Sequence, residues 1–324
     1  MVGATQNKAE TTSSSESSLA PASRQKTLAS EVRVSGVGLH LGQQTTVRLL
    51  PASVGEGRYF VRTDLASDAG GSGAGESVRI EATVSRVVAT QLSTELGVGE
   101  AQVRTVEHLL SALLALGLDN VRIEMDGPEL PLLDGSALGW LTAIDPAGET
   151  ANWRSQSASK RHRQAVSELI SVSAGDAWVT AYPSEALRFS YGIDFELAAI
   201  GNQWHSWSPR PETLAADFAR EVAPARTFGL ATHIDYLRSQ GLIKGGSLEN
   251  ALVCGQDGWL NPPLRFENEP ARHKLLDLIG DLSLLGDIPQ AHYVAYKASH
   301  ALHVALAKRL VNDCLYTDSA LLGA

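Results

Sequence analysis

Cysteine is nearly absent from this chain of 324 residues: only Cys254 and Cys314 occur, far apart and with no CxxC partner. That excludes a zinc–thiolate site and a disulfide framework, and it fits a reducing compartment. Long apolar runs are lacking too. No stretch approaches 18 consecutive apolar residues, so no spanning helix is expected. The first 26 residues are rich in Ser, Thr and Ala and have no apolar run able to serve as a signal-peptide core; a disordered tail is expected there. Basic residues are in deficit, with Lys and Arg at 27 against 36 Asp and Glu and a net charge of −9. A nucleic-acid partner wants a basic face, so none is expected, and an anionic ligand would need a local basic pocket. What is present is ordinary for a soluble globular protein: 44% hydrophobic and 19% charged residues, and length for two domains or one large one.

Strands come first, at 27–50 as strand, turn and strand with His40 on the turn, then at Arg58–Arg62, Val78–Ala82 and Arg86–Leu92. The Gly/Ser/Ala stretch 66–76 reads as a flexible loop. Thr105 is an N-cap candidate for a Leu-rich helix that Gly117 stops, followed by a strand at Val121–Met125 and a helix from near Ser136. Residues 144–164 are polar, with Pro, Gly, Ser and a basic cluster, and divide the chain into units 27–150 and 151–324. The second unit repeats the order. Strands are expected at Val166–Val172, Ala177–Tyr182 and Leu187–Phe195, then helices at Pro211–Ala219, His233–Gln240 and Glu269–Leu285. A strand at Ala291–Tyr296 and a helix at Ala301–Val311 close it. Segregated strands and helices imply an α+β fold, and the shared order suggests an internal duplication.

His273, Asp277 and Asp281 recur at steps of four, which on a helix stacks all three on one face. With His108 from the first unit, His273 and Asp277 form a His-His-Asp set. Three N/O ligands with a fourth position open is the pattern of a catalytic zinc. Spacing alone also allows a plain helix-surface His–Asp contact and a helix-start histidine with a satisfied hydrogen bond. Glu107, beside His108, can act as a base on a water held by the ion, or be an acid favoured by the helix dipole. Asp281 can orient a histidine such as His300; His303 nearby carries no such expectation. Thr227 can donate to an oxyanion or be an ordinary turn threonine. Gly245-Gly246-Ser247 offers backbone for close approach to a ligand. The chain lacks HExxH and GxSxG, so zincin and α/β-hydrolase readings have no support.

Seven segments then match one family in order. They are Gly36-Val37-Gly38-Leu39-His40, Thr105-Val106-Glu107-His108, Pro128-Glu129-Leu130-Pro131-Leu132-Leu133-Asp134-Gly135-Ser136-Ala137, Ala225-Arg226-Thr227-Phe228-Gly229, Gly245-Gly246-Ser247, Arg272-His273-Lys274-Leu275-Leu276-Asp277 with Gly280-Asp281, and Ser299-His300-Ala301-Leu302. Together they resemble the UDP-3-O-acyl-N-acetylglucosamine deacetylase (LpxC) family from about residue 27 to 312. The resemblance implies a cytoplasmic zinc amidase of lipid A biosynthesis that removes acetate from the 2-amino group of UDP-3-O-acyl-N-acetylglucosamine. It implies zinc on His108, His273 and Asp277, Glu107 as general base, and His300 as electrostatic stabiliser or general acid, kept charged by Asp281. Thr227 would help hold the oxyanion. Lys274 would meet the diphosphate and Phe195 the uracil, with Phe228 and Gly246 also among the substrate contacts. The implied fold is two similar α+β domains whose sheets sandwich their helices. A monomer is expected, and contact with a membrane surface stays open. Ala231-Thr232-His233 lacks the acid that many relatives carry there. Two other readings stay open: a nucleotide-sugar-binding protein with a structural zinc, and a zinc amidase for another acylated amine.

Overall fold

Two five-stranded sheets share one topology. The computed structural model describes residues 24–65, 78–146, 152–159 and 164–312. In the first sheet the strands lie in the order Val32–Val37, Gln44–Pro51, Val121–Met125, Arg58–Arg62, Val78–Glu81. In the second the order is Ile170–Ala174, Ala177–Tyr182, His292–Tyr296, Arg188–Asp194, Asn202–Trp207. Each begins with an antiparallel hairpin. In each, the last strand in sequence enters the middle, antiparallel to the second and parallel to the third. In each, the fourth strand closes the edge antiparallel. The duplication suggested by element order is thus visible in strand order and direction, which two unrelated halves have no reason to share. Alternation of apolar residues fixes which face is buried: Thr45, Val47 and Leu49, then Val121, Ile123 and Met125, point inward.

Six helices occur among the described residues: α1 (Glu107–Ala115), α2 (Leu138–Ile144), α3 (Leu214–Glu221), α4 (Ala231–Ser239), α5 (Glu269–Leu282) and α6 (His300–Leu310). α5 packs on the strands Arg188–Asp194 and Asn202–Trp207, α6 on the hairpin before them, and α2 on Val32–Val37. α1 lies against α5. α1, α2, α5 and α6 therefore form a layer between the sheets, and one apolar core runs through both halves, from Phe60, Leu109 and Ile123 to Leu275, Phe189 and Tyr293. This explains why α1 is apolar nearly all round: it has no solvent face.

The crossing of α1 and α5 is unusually close. At Gly280 an added Cβ would stand 2.2 Å from the carbonyl oxygen of Glu107. Only glycine lets the two backbones meet there.

Each half also inserts a small sheet between its fourth strand and its long central helix. The first comprises Val87–Ala89, Glu95–Val98 and Ala101–Arg104; the second comprises Phe228–Leu230, Leu252–Gly255 and Gly258–Trp259, with α4 attached.

Several expectations are corrected in detail. Thr105 does not cap α1. It adopts φ +61°, and its hydroxyl donates to Glu129 instead. The strand expected over Arg86–Leu92 is only Val87–Ala89, because Leu92 turns the chain at φ +64°. The strand expected from Val166 begins at Ile170; before it, Ala165 makes only an isolated bridge to Gln290. Inside the expected linker, Trp153–Ser159 is a strand, paired with Arg24–Leu28, which itself starts inside the expected tail. Both strands carry few apolar residues, chiefly Leu28 and Trp153, so no apolar alternation announces them. Residues 1–23 of that tail and the expected loop at 66–76 lie outside the described residues. The helix stop at Gly117 stands as expected, with φ +68°.

Gly280→Ala tests the helix crossing. Forcing a methyl into this contact is expected to destabilise the protein by roughly 1–3 kcal/mol, read as a lowered thermal midpoint. An unchanged midpoint would show that the helices can separate freely.

Candidate metal centre and active site

Glu107 and His108 form the first turn of α1, and a buried carboxylate puts them there. Glu129 is fully buried and accepts the Thr105 hydroxyl at 3.1 Å, together with the backbone N–H groups of His40 and Leu41 at 2.7 Å each. It thereby fixes the sharp turn before α1 and the turn that carries His40. The His40 ring is buried with both nitrogens unpartnered, and burial drives its pKa down to about 4.

α5 faces α1 with His273, Asp277 and Asp281. Glu269, fully buried at its head, accepts the backbone N–H of Arg226 at 3.0 Å and that of Arg265 at 2.6 Å, and pairs with the Arg226 guanidinium. This ties the Ala225-Arg226-Thr227 turn to the helix. The His273 Nδ1–H then donates to the Ala225 carbonyl at 3.0 Å. A histidine held that way presents its other nitrogen as a bare lone pair.

His273 Nε2 lies 3.3 Å from Asp277 Oδ1, and His108 Nε2 lies 3.8 Å from the same oxygen. One donor atom from each residue falls within 4.8 Å of the others. The two imidazoles meet edge to face, 5.1 Å between centroids. Burial keeps both neutral, pushing His108 down to about 3 and His273 down as well. Burial also pushes the Asp277 carboxyl up, but His273, Lys274 and His300 outweigh it and hold the group well below the usual carboxylate range. Asp277 Oδ2 accepts from Lys274 Nζ at 2.7 Å, whereas Oδ1 is buried with no hydrogen-bond partner. A buried, orphaned, ionised oxygen facing two neutral imidazole nitrogens is the donor set of a divalent metal.

Glu107 and His300 sit beside it. Glu107 Oε1 is 3.9 Å from His300 Nε2, and Glu107 Oε2 accepts the Thr94 N–H at 3.2 Å. Burial pushes Glu107 up strongly, opposed by His300 and reinforced by Asp281 and Asp277, to about 8. Burial disfavours charge on His300 too, but Asp281, 2.8 Å from its Nδ1, wins by charge and hydrogen bond and raises it to about 9. Glu107 is thus a carboxyl of raised proton affinity and His300 an imidazolium, two groups whose environments push them toward acid–base work near neutral pH.

All of this lies on the floor of a cavity of about 370 Å³. Of the residues singled out from sequence, His108, His273, Asp277, Glu107, His300, Thr227, Lys274, Phe195 and Phe228 line it. Phe195 and Phe228 meet edge to face, 5.6 Å between centroids, and Leu39, Leu92, Leu230 and Leu237 extend an apolar wall. Asp281 stands behind His300. Gly246 is not on the wall. Its neighbour Gly245 presses against the Gly38 carbonyl, where a Cβ would come within 2.2 Å, so this pair joins the second insert to the His40 turn. Lys274 turns its ammonium inward to Asp277. Thr94 was not singled out from sequence, yet it links both acids: its N–H serves Glu107 and its hydroxyl donates to Asp281 Oδ1. Nothing periodic marks it, because it sits on the bend between two strands.

The family model described as UDP-3-O-acyl N-acetylglycosamine deacetylase, LpxC, matches residues 25–312. The chain belongs to this family. A relative from Nostoc sp. named UDP-3-O-acyl-N-acetylglucosamine deacetylase is 57% identical over 290 residues, covering 89% of this chain and 98% of its own. One of the same name from Synechocystis sp. is 52% identical, covering 88% and 98%. An Arabidopsis thaliana protein named as a probable mitochondrial deacetylase of this kind is 44% identical, covering 91% of each chain. The ordered motifs therefore belong to a match that runs almost the whole length of both partners.

His273→Ala and Asp277→Asn should each strip the protein of bound metal. Elemental analysis after dialysis checks this, and an undiminished metal content in either variant removes that residue from the ligand set.

Proposed function

We propose that this protein hydrolyses the 2-acetamido group of UDP-3-O-acyl-N-acetylglucosamine, a step of lipid A biosynthesis, with zinc held by His108, His273 and Asp277. One observation carries the reading: an acid–base pair, Glu107 and His300, flanks a buried His-His-Asp set on the floor of an apolar-walled cavity, in a chain that spans nearly all of its named relatives. A divalent ion in that set supplies Lewis acidity toward a carbonyl and makes a nearby water more acidic. Glu107 accepts a proton from water as its oxygen adds to the acetyl carbon. His300, as an imidazolium, and the Thr227 hydroxyl donate hydrogen bonds to the developing oxyanion. The C–N bond then breaks, and a proton from Glu107 or His300 reaches the amine; the products are acetate and the free amino sugar.

The leucines and phenylalanines of the wall suit an acyl chain, and Phe195 offers a ring face for a uracil. Lys274 would serve the diphosphate by leaving Asp277 once an ion neutralises that carboxylate. Gly246 stands beside the joint that Gly245 makes with the His40 turn. The repeated topology supports a unit boundary within 144–164. No described helix is long and apolar enough to cross a membrane. A reducing cytoplasm, a monomer and contact with lipid only at a surface complete the reading; the Arabidopsis relative carries a mitochondrial name. A structural zinc would be closed by a fourth protein ligand. Among the described residues the set containing His108 has three, which favours the hydrolase over a binding protein.

Acetate release from UDP-3-O-acyl-N-acetylglucosamine, measured with and without a chelator, separates these readings. Chelation should abolish release and added zinc restore it; no release from the metal-loaded protein rejects the substrate. Glu107→Gln should lose about 10²–10⁴-fold in kcat while keeping its metal, and a variant of near-parental kcat would remove Glu107 as the base.

A further inference from the structure

His303 is fully buried, does not line the cavity, and stands one helical turn beyond His300 on α6. Its Nδ1 is 2.8 Å from Asp281 Oδ2, the same oxygen that His300 Nδ1 approaches at 2.8 Å. The Thr94 hydroxyl takes the other oxygen, Oδ1. A carboxylate oxygen only accepts, so each Nδ1 facing it carries a proton. Contacts of this length are hydrogen bonds between the side chains themselves and leave no space for an ion among Asp281, His300 and His303. On its far side, His303 Nε2 lies 3.0 Å from the Tyr191 hydroxyl, which is itself 2.6 Å from the Ala298 carbonyl. Ala298 is two residues before His300. The contacts therefore close a ring: Ala298, Tyr191, His303, Asp281, His300.

An apolar side chain would fill this position at lower cost, because every polar atom buried here must find a partner. His303 finds two. Beside His300, the Thr94 hydroxyl holds Oδ1, and His303 adds a second donor to Oδ2, the oxygen that His300 itself uses. Three donors spread over its two oxygens fix its plane.

We infer that His303 is a positioning residue of the deacetylation site: through a hydrogen bond to Asp281 it holds that carboxylate in the orientation that aims His300 at the cavity. His303 touches neither substrate nor metal ligand and acts only through Asp281. The inference rests on the functional reading above for its kinetic consequence, but not for its geometry.

The test compares His303→Leu, which keeps bulk and loses the donor, with His303→Asn, whose amide can replace the Nδ1–H. Three quantities are measured on metal-loaded protein: steady-state kinetics of acetate release, metal content, and the imidazole N–H resonances of ¹⁵N-histidine-labelled samples. His303→Leu should keep its metal and its KM while kcat falls about 10–100-fold, the usual cost of losing an orienting partner. It should also displace the His300 Nδ1–H resonance. His303→Asn should recover most of kcat and leave that resonance near its parental position. The inference is overturned if His303→Leu matches the parent in kcat, if it loses metal, or if His303→Asn is no better than His303→Leu. Should His303→Leu fail to fold, His303→Asn decides: a parental resonance and kcat uphold the inference, and their loss overturns it. Should the parent release no acetate, the substrate reading fails by itself. The His300 resonance then decides alone, and one that stays unmoved in His303→Leu sinks the inference.

Discussion

The structure depends on one contact, the passage of the Gly280 backbone over the Glu107 carbonyl. Glu107 and His108 come from one half of the chain; His273, Asp277 and Asp281 come from the other. Side chains bridge these distances only if the two helix axes nearly touch. A larger residue at 280 would push α1 away from α5, and with it the imidazole of one half from the carboxylate of the other. The proposed metal set and acid–base pair both follow from how closely two helices cross.

Placing this many ionisable groups in a dry layer is expensive unless each has a counterpart. The pairing is nearly complete. Lys274 answers one oxygen of Asp277, His300 and His303 answer Asp281, and a Thr94 N–H answers Glu107. The exceptions at the site are Asp277 Oδ1, His108 Nδ1 and both nitrogens of His40. Burial alone would neutralise every one of these acids. At Asp277 the neighbouring His273, Lys274 and His300 outweigh desolvation, and at Asp281 His300 and His303 do. At Glu107 desolvation wins, so three carboxyls within one cluster hold their protons with different strength.

Sequence made legible whatever is repeated or periodic. The step-four series at His273, Asp277 and Asp281 did place one face of a helix, and the shared order of elements did reflect a shared sheet topology. Ordered motifs around His108, Thr227 and His300 pointed to residues that the fold gathers in one cavity. What stayed hidden is what lacks a period. Thr94 and Glu129 act from bends and turns, and their roles exist only because distant residues converge on them. The strands Arg24–Leu28 and Trp153–Ser159 are mostly polar in sequence, so no apolar alternation marked them, although Thr27 and Leu28 are fully buried. His303 was hidden for another reason: a buried histidine announces a partner but not which one.

The two inserted sheets occupy equivalent places in the repeat, each lying between an edge strand and a central helix. Neither contributes a strand to the large sheets. Residues such as Leu92, Phe228 and Leu237 can therefore change, and the loops around them lengthen or shorten, while the helix crossing beneath keeps its spacing. Descendants of such a scaffold are free to remodel the walls that meet a ligand and still inherit an unaltered floor.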